Sequence, residues 1–236
     1  MMMSEAARAE IRDEQAPPPP RGERPWWRRL LRNPFFWASI VALVTIPVLR
    51  PLLRRVPEPP PVLAALPPFQ LVNQDGRVFG SADLRGQVWV GDFVFTSCRS
   101  ICPGLTRAMR SLQQRYQAAG VPVRLVSFSV DPENDTPAVL KAYAARHGAD
   151  LSSWTFLTGP EPAMRSLIVL GFKTHLGRRE VSSENLVDIA HAPYFVLVDG
   201  NGGIRGYYRP DESGLDELFH RSQHVLRQHR RGERRR

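Results

Sequence analysis

The apolar positions fall into short blocks whose spacing changes along the chain. Phe69-Gln-Leu-Val72 and Arg77-Val-Phe79 flank Asn-Gln-Asp-Gly, a pattern that predicts a β-hairpin. Val88-Trp-Val-Gly-Asp-Phe-Val-Phe95 and Val123-Arg-Leu-Val-Ser-Phe-Ser-Val130 are near-continuous apolar runs and predict buried strands. Between them, Leu105, Met109, Leu112 and Tyr116 recur at helical spacing, with Gly120 as the stop, so a helix is expected over 103–119. Thr136-Pro137 is an N-cap and first-turn pair for a helix ending near His147-Gly148. A short strand over 155–157 and a short helix over 162–170 follow. Tyr194–Val198 and Ile204–Tyr208, joined through Asp199-Gly-Asn-Gly-Gly, predict an antiparallel hairpin, and a last helix is expected over 215–226. The segment from Lys173 to Val187 has no clear periodicity. It is read as a partner-facing loop that orders on metal or partner binding. Strands alternating with helices and closing on a hairpin give an α/β fold, a mixed sheet flanked by helices.

Outside this domain the pattern changes. Residues 1–33 are polar and basic, with four consecutive prolines, and read as a disordered tail. Pro34 to Leu49 is free of charge, and the apolar stretch reaches 20 residues if Arg50 snorkels and Leu52 and Leu53 are included. Arginine follows it where a signal-peptide cleavage site would need small residues, so 34–53 is expected to be an uncleaved transmembrane anchor. Five arginines shortly before the span against three after it favour the N-terminus in the cytoplasm. The acidic residues of the leading segment disfavour an organelle transit peptide, which points to a bacterial inner membrane with the folded domain in the periplasm. Residues 54–68 form a stiff Pro-rich linker, 69–226 the folded domain and 227–236 a basic tail.

The 236 residues, 42% hydrophobic and 23% charged, suffice for one domain with a real core and exclude global disorder. A net charge of +9 would suggest a nucleic-acid partner, but its distribution removes that reading. Residues 1–55 carry ten arginines against five carboxylates, and 220–236 carry seven against one. The stretch between them, with 15 basic and 17 acidic side chains, is slightly negative.

Two cysteines, Cys98 and Cys102, exclude a multi-disulfide scaffold and a four-cysteine metal site. They sit where a buried strand meets a helix, in Phe93-Val-Phe-Thr-Ser-Cys98-Arg-Ser-Ile-Cys102-Pro. A helix N-terminus stabilises negative charge, so thiolates are favoured there. A structural disulfide over so short a loop would restrict the unfolded chain little. Two soft sulfurs call for a third ligand, and sulfur with imidazole suits copper. Of six histidines, His147 reads as a helix-end dipole partner, His175 as solvated, and His220, His224 and His229 as belonging to the basic end. His191, just before the 194–198 strand, is the leading third ligand.

Phe-Thr-Ser-Cys98-Arg-Ser-Ile-Cys102-Pro, Ser-Phe-Ser-Val-Asp131-Pro-Glu-Asn-Asp135-Thr-Pro, and His191 eight residues before Asp199-Gly together resemble the Sco/SenC family. These are membrane-anchored, thioredoxin-fold copper proteins that assist cytochrome c oxidase assembly. The resemblance implies a thioredoxin-like, peroxiredoxin-type sheet and copper, Cu(I) or Cu(II), on Cys98, Cys102 and His191. It further implies an upstream copper donor, the oxidase's copper-site subunit as acceptor, and an inner-membrane location with no nucleic acid involved. Two departures stand out: Arg99 replaces the family's common proline, and Ala190 its common aspartate, leaving Asp188 as the nearest acid. Asp131 and Asp135 read as local turn and helix-start residues rather than ligands. Besides copper delivery, the same pair of thiols could serve a thiol–disulfide oxidoreductase that keeps the oxidase's copper-ligating cysteines reduced. A thiol peroxidase with Cys102 attacking peroxide is the weakest of the three readings.

Overall fold

The computed structural model describes the backbone of residues 33–53, 59–98, 102–181, 187–191 and 193–233. Side chains are described within these ranges except at 42, 44, 47–53, 102, 178–181, 187–191 and 233. The chain divides into two units, Met1–Val56 and Pro57–Arg236.

In the first unit, Pro34–Leu53 form helix α1. Asn33 Oδ1 accepts the Phe35 N–H at 2.9 Å, capping its start. Phe35, Trp37, Leu43 and Ile46 are exposed on it. Among the described residues no helix is long and apolar enough to cross a membrane. The uninterrupted charge-free run of 34–49 is shorter than the ~20 residues a bilayer core requires. The expected span is thus present as a helix.

In the second unit the elements are β1 (Ala64–Ala65), β2 (Gln70–Asn73), β3 (Val78–Gly80), β4 (Trp89–Val94), α2 (Cys102–Ala118), β5 (Arg124–Ser129), α3 (Pro137–Arg146), β6 (Trp154–Thr158) and α4 (Glu161–Ser166). A π-helical turn (Leu167–Gly171) continues α4. Then come β7 (Leu176–Val181), β8 (Val187–His191), β9 (Phe195–Val198), β10 (Gly203–Tyr208) and α5 (Glu212–Glu233). Among the described residues, eight strands form one sheet in the order β1-β10-β9-β4-β5-β6-β2-β3, and β7-β8 form a separate pair. The central β4, β5 and β6 are parallel to one another, and the flanking strands pair antiparallel.

Successive side chains on a strand point to opposite faces. On β4, Trp89 and Phe93 enter one core, with Phe128, Leu167 and Phe172; Val90 enters the other, with Met109 and Leu112 of α2, Leu140 of α3 and Leu218 of α5. The Phe172 ring meets Phe93 and Phe128 edge-on at 5.2 and 5.0 Å. Gly91 leaves room for this cluster: a Cβ there would stand 3.1 Å from the Trp89 ring. Gly120, at φ +61°, ends α2 as expected.

The structure corrects three expectations. The aperiodic 173–187 segment holds β7 and the start of β8 rather than a plain loop. The Pro-rich linker contributes β1, an edge strand paired to β10. The last helix continues past Leu226 to Glu233, so most of the expected basic tail is helical.

Candidate metal centre

β4 ends at Val94, Phe95 is buried, and Thr96–Ser97 turn the chain into Cys98. The Cys98 N–H donates to the Phe95 carbonyl at 3.3 Å, so the cysteine sits on a tight turn at the carboxyl end of the strand. Cys98 is 7% exposed and belongs to the same core as Phe93 and Phe172. Residues 99–101 lie outside the described residues, Arg99 among them. The backbone of Cys102 opens α2; its side chain is outside the described part, as are those of Asp188 and His191.

The turn before Cys98 is held from a distance. Asp135 Oδ1 accepts both the Thr96 N–H (3.2 Å) and the Thr96 hydroxyl (2.6 Å), while Oδ2 accepts the Ser129 hydroxyl (2.6 Å). Burial pushes the Asp135 carboxyl above its ordinary value, opposed by these three donors. Asp131 acts locally, as expected: its N–H donates to Ser129 Oγ and its carboxylate accepts from the Asn134 amide at 2.9 Å. Thr136 caps α3 by accepting the Val139 N–H, also as expected. The reach of Asp135 to the cysteine turn, over 39 residues, is a positioning role that the local sequence does not reveal.

His191 is the last residue of β8, and its Cα partner across the pair is Leu176. Leu176 is buried in the core that also contains Cys98. The Arg165 guanidinium of α4 donates to the Leu176 and Gly177 carbonyls at 3.4 and 3.2 Å, fastening β7 to the domain. β9 runs antiparallel to β4, with Gly91 opposite Val196. Read backwards from Phe195, the chain therefore heads toward the carboxyl end of β4, the end that leads to Cys98. The backbone thus directs Cys98, the start of α2 and the segment after His191 to one end of the sheet. Among the described residues no group of three or more His, Cys, Asp or Glu side chains could hold a metal ion.

The other histidines separate. His147 stands at the C-cap of α3 against the Tyr143 ring, 4.4 Å between centroids. Burial, then Arg146 and Arg107, lower its pKa, which disfavours the charged dipole partner expected there. His175 and His220 are exposed. His224 and His229 are half-buried on α5, and His229 packs against Gly200: a Cβ on that glycine would come within 2.5 Å of its ring.

Beneath the cysteine turn, Asp92 of β4 is fully enclosed on the face opposite Phe93. Its Oδ1 accepts the Ser127 hydroxyl at 2.6 Å, and Ser127 Oγ accepts the Trp154 indole N–H at 2.9 Å. Its Oδ2 is buried with no hydrogen-bond partner among the described residues. Burial raises its pKa to about 7.

The SCO1/SenC family profile matches residues 59–227. The SCO1 protein homolog of Bacillus subtilis (strain 168) is 36% identical over 154 residues, 64% of this chain and 78% of that protein. A Stutzerimonas stutzeri protein named as a candidate copper-binding protein is 30% identical over 149 residues, 61% of this chain and 69% of that one. The solved structure of BsSco, described as a member of the Sco family of cytochrome c oxidase assembly proteins with a disulfide switch, is similar at 32% identity. Its TM-score is 0.63, covering 72% of this chain and 98% of that one. The sheet and helices are accordingly those of the thioredoxin-like Sco fold, and the chain belongs to the SCO1/SenC family.

Proposed function

We propose that this chain binds copper through Cys98, Cys102 and His191 and delivers it to the dinuclear copper site of cytochrome c oxidase during assembly. The observation that carries the reading is topological. The turn bearing Cys98 runs into a helix opening on Cys102, and the register of β9 on β4 directs the segment after His191 to that same end of the sheet. The first turn of a helix has amides without an intrahelical acceptor and the positive end of the dipole, which favour thiolate. Two thiolates and an imidazole form a soft donor set suited to copper. Relatives named for copper binding and for oxidase assembly agree with this. The copper is cargo, received from a donor protein and passed to the oxidase's copper-site subunit. Anaerobic titration of the full chain should saturate at one copper, with tight binding lost in Cys98→Ser and in Cys102→Ser; stoichiometric tight binding by either variant would overturn the proposal.

The placement of Cys102 at a helix start also favours a second reading, a thiol–disulfide oxidoreductase for the acceptor's cysteines. In it the two thiols become a disulfide as the acceptor's disulfide becomes two thiols, and His191 is dispensable. A His191→Ala variant that loses oxidase assembly while keeping its dithiol reactivity supports copper delivery; unimpaired assembly supports the redox role.

Residues 34–53 are proposed as the anchor in a bacterial inner membrane, with the N-terminus cytoplasmic and the domain periplasmic. The exposed apolar side chains of α1 and the arginines that flank it in sequence support this. Retention of the full chain in membranes after carbonate washing is expected, and its release would reject the anchor.

A further inference from the structure

α5 has a divided character that copper delivery does not use. From Leu218 to Gly232 it carries no carboxylate and four arginines. Leu218, Ser222 and Val225 are buried against the domain. Arg227, Arg230 and Arg231, spaced i, i+3, i+4, fall together on the opposite side of the helix and are exposed. Among the described residues none of these three makes an ion pair, whereas the earlier half of α5 pairs Asp216 with Arg115 and Glu217 with Arg221.

The place where the chain enters the domain lies beside this stripe. Arg205 Nη1 donates to the Pro60 carbonyl at 2.7 Å and to Gln228 Oε1 at 3.1 Å, so Pro60 and Gln228 are held by one guanidinium. His229 also packs this end of the helix onto Gly200, whose carbonyl accepts the Gly86 N–H at 2.8 Å, by the amino end of β4. Cys98 follows the carboxyl end of that strand, ~17 Å further on.

We propose that Arg227, Arg230 and Arg231 form a docking surface for anionic phospholipid headgroups. The proposal takes its bilayer from the anchor reading and its binding from the arginine stripe. The simpler role for these side chains is to complement the negative end of the α5 dipole. That role predicts no lipid dependence.

The test uses residues 57–236, a compact unit with its own two-sided core, to which the solved BsSco structure is similar over 98% of its length. Cosedimentation is measured with vesicles of phosphatidylcholine alone and with added phosphatidylglycerol. Wild type should bind the phosphatidylglycerol vesicles selectively and release them in 0.5 M salt, where screening shortens the reach of each charge to ~4 Å. Replacing the three arginines with glutamine should weaken binding at least ~10-fold, given the contribution of each basic side chain near an anionic surface. Circular dichroism confirms that the variant is folded. Equal binding by the variant, or no preference of wild type for the anionic vesicles, overturns the proposal. Flotation of the full chain with phosphatidylcholine vesicles tests the anchor separately: failure there rejects the anchor and leaves the domain measurement to decide the docking surface.

Discussion

Asp92 and Asp135 are two carboxylates of different kinds. Asp135 has three donors and ties the turn before Cys98 to the turn after β5. Asp135→Ala would leave the half-buried Thr96 N–H and the buried Ser129 hydroxyl without their acceptor, costing on the order of 2–4 kcal/mol. It should also speed alkylation of Cys98 in the folded protein. Urea unfolding with parallel thiol labelling measures both, and an unchanged labelling rate would separate Asp135 from the cysteine turn. Asp92 has one donor and one bare oxygen, and burial raises its pKa from 3.8 to about 7. The native chain then holds a proton that the unfolded chain has released between about pH 4 and pH 7. More protons on the native state mean that stability falls as pH rises through that window, by up to ~4 kcal/mol. Asp92→Asn keeps the acceptor for Ser127 and removes the titration. Relative to wild type it should gain on the order of 1–3 kcal/mol between pH 4.5 and pH 8. Denaturation curves at the two pH values check this; parallel pH dependence in the two proteins would refute it.

At the scale of elements, the β7–β8 pair is the part of the candidate centre with the least support. It forms its own two-stranded sheet, reaches the core through Leu176 and is fastened by Arg165. Arg165→Ala should loosen this pair without unfolding the domain. Amide exchange should quicken over 176–191, and if His191 is a ligand, copper affinity should drop several-fold. Faster exchange with unchanged affinity would remove His191 from the ligand set. The same pair shows where sequence reading stops. β4, β5, α2 and α3 are legible because their apolar periodicity reflects burial against the central sheet. Residues 173–187 show no such period because two strands that pair mainly with each other need not repeat one face toward the core. The last ten residues look like a tail because arginine dominates them, while the holding contact there is His229 on Gly200. Cys98 and Cys102 stand out as the chain's two cysteines beside a strand-to-helix junction. The link from Asp135 to Thr96 joins residues 39 apart and leaves no local pattern to read.

At the scale of the whole domain, one ion pair joins three parts of the chain that are distant in sequence. Arg205 of β10 pairs with Asp199 at 2.6 Å, their side chains only 10% and 4% exposed, and reaches Pro60 and Gln228 as well. Asp199 in turn accepts the Asn201 and Gly203 N–H groups at 2.9 Å, closing the β9–β10 turn. Lys141–Asp75 is the useful contrast, at 2.8 Å but with side chains 59% and 36% exposed. Water screens that pair, so Lys141→Met should cost no more than ~1 kcal/mol. Arg205→Met strands a buried carboxylate oxygen and releases both the incoming chain and α5, so the loss should be roughly 3–5 kcal/mol. Proteolysis near Pro60 should increase in Arg205→Met at denaturant concentrations where the core is intact, because β1 is only a two-residue edge strand. Similar unfolding midpoints for the two methionine variants would show that burial does not set the strength of the pair. Uniform protection up to global unfolding would show that the incoming chain is held by the β1–β10 pairing alone.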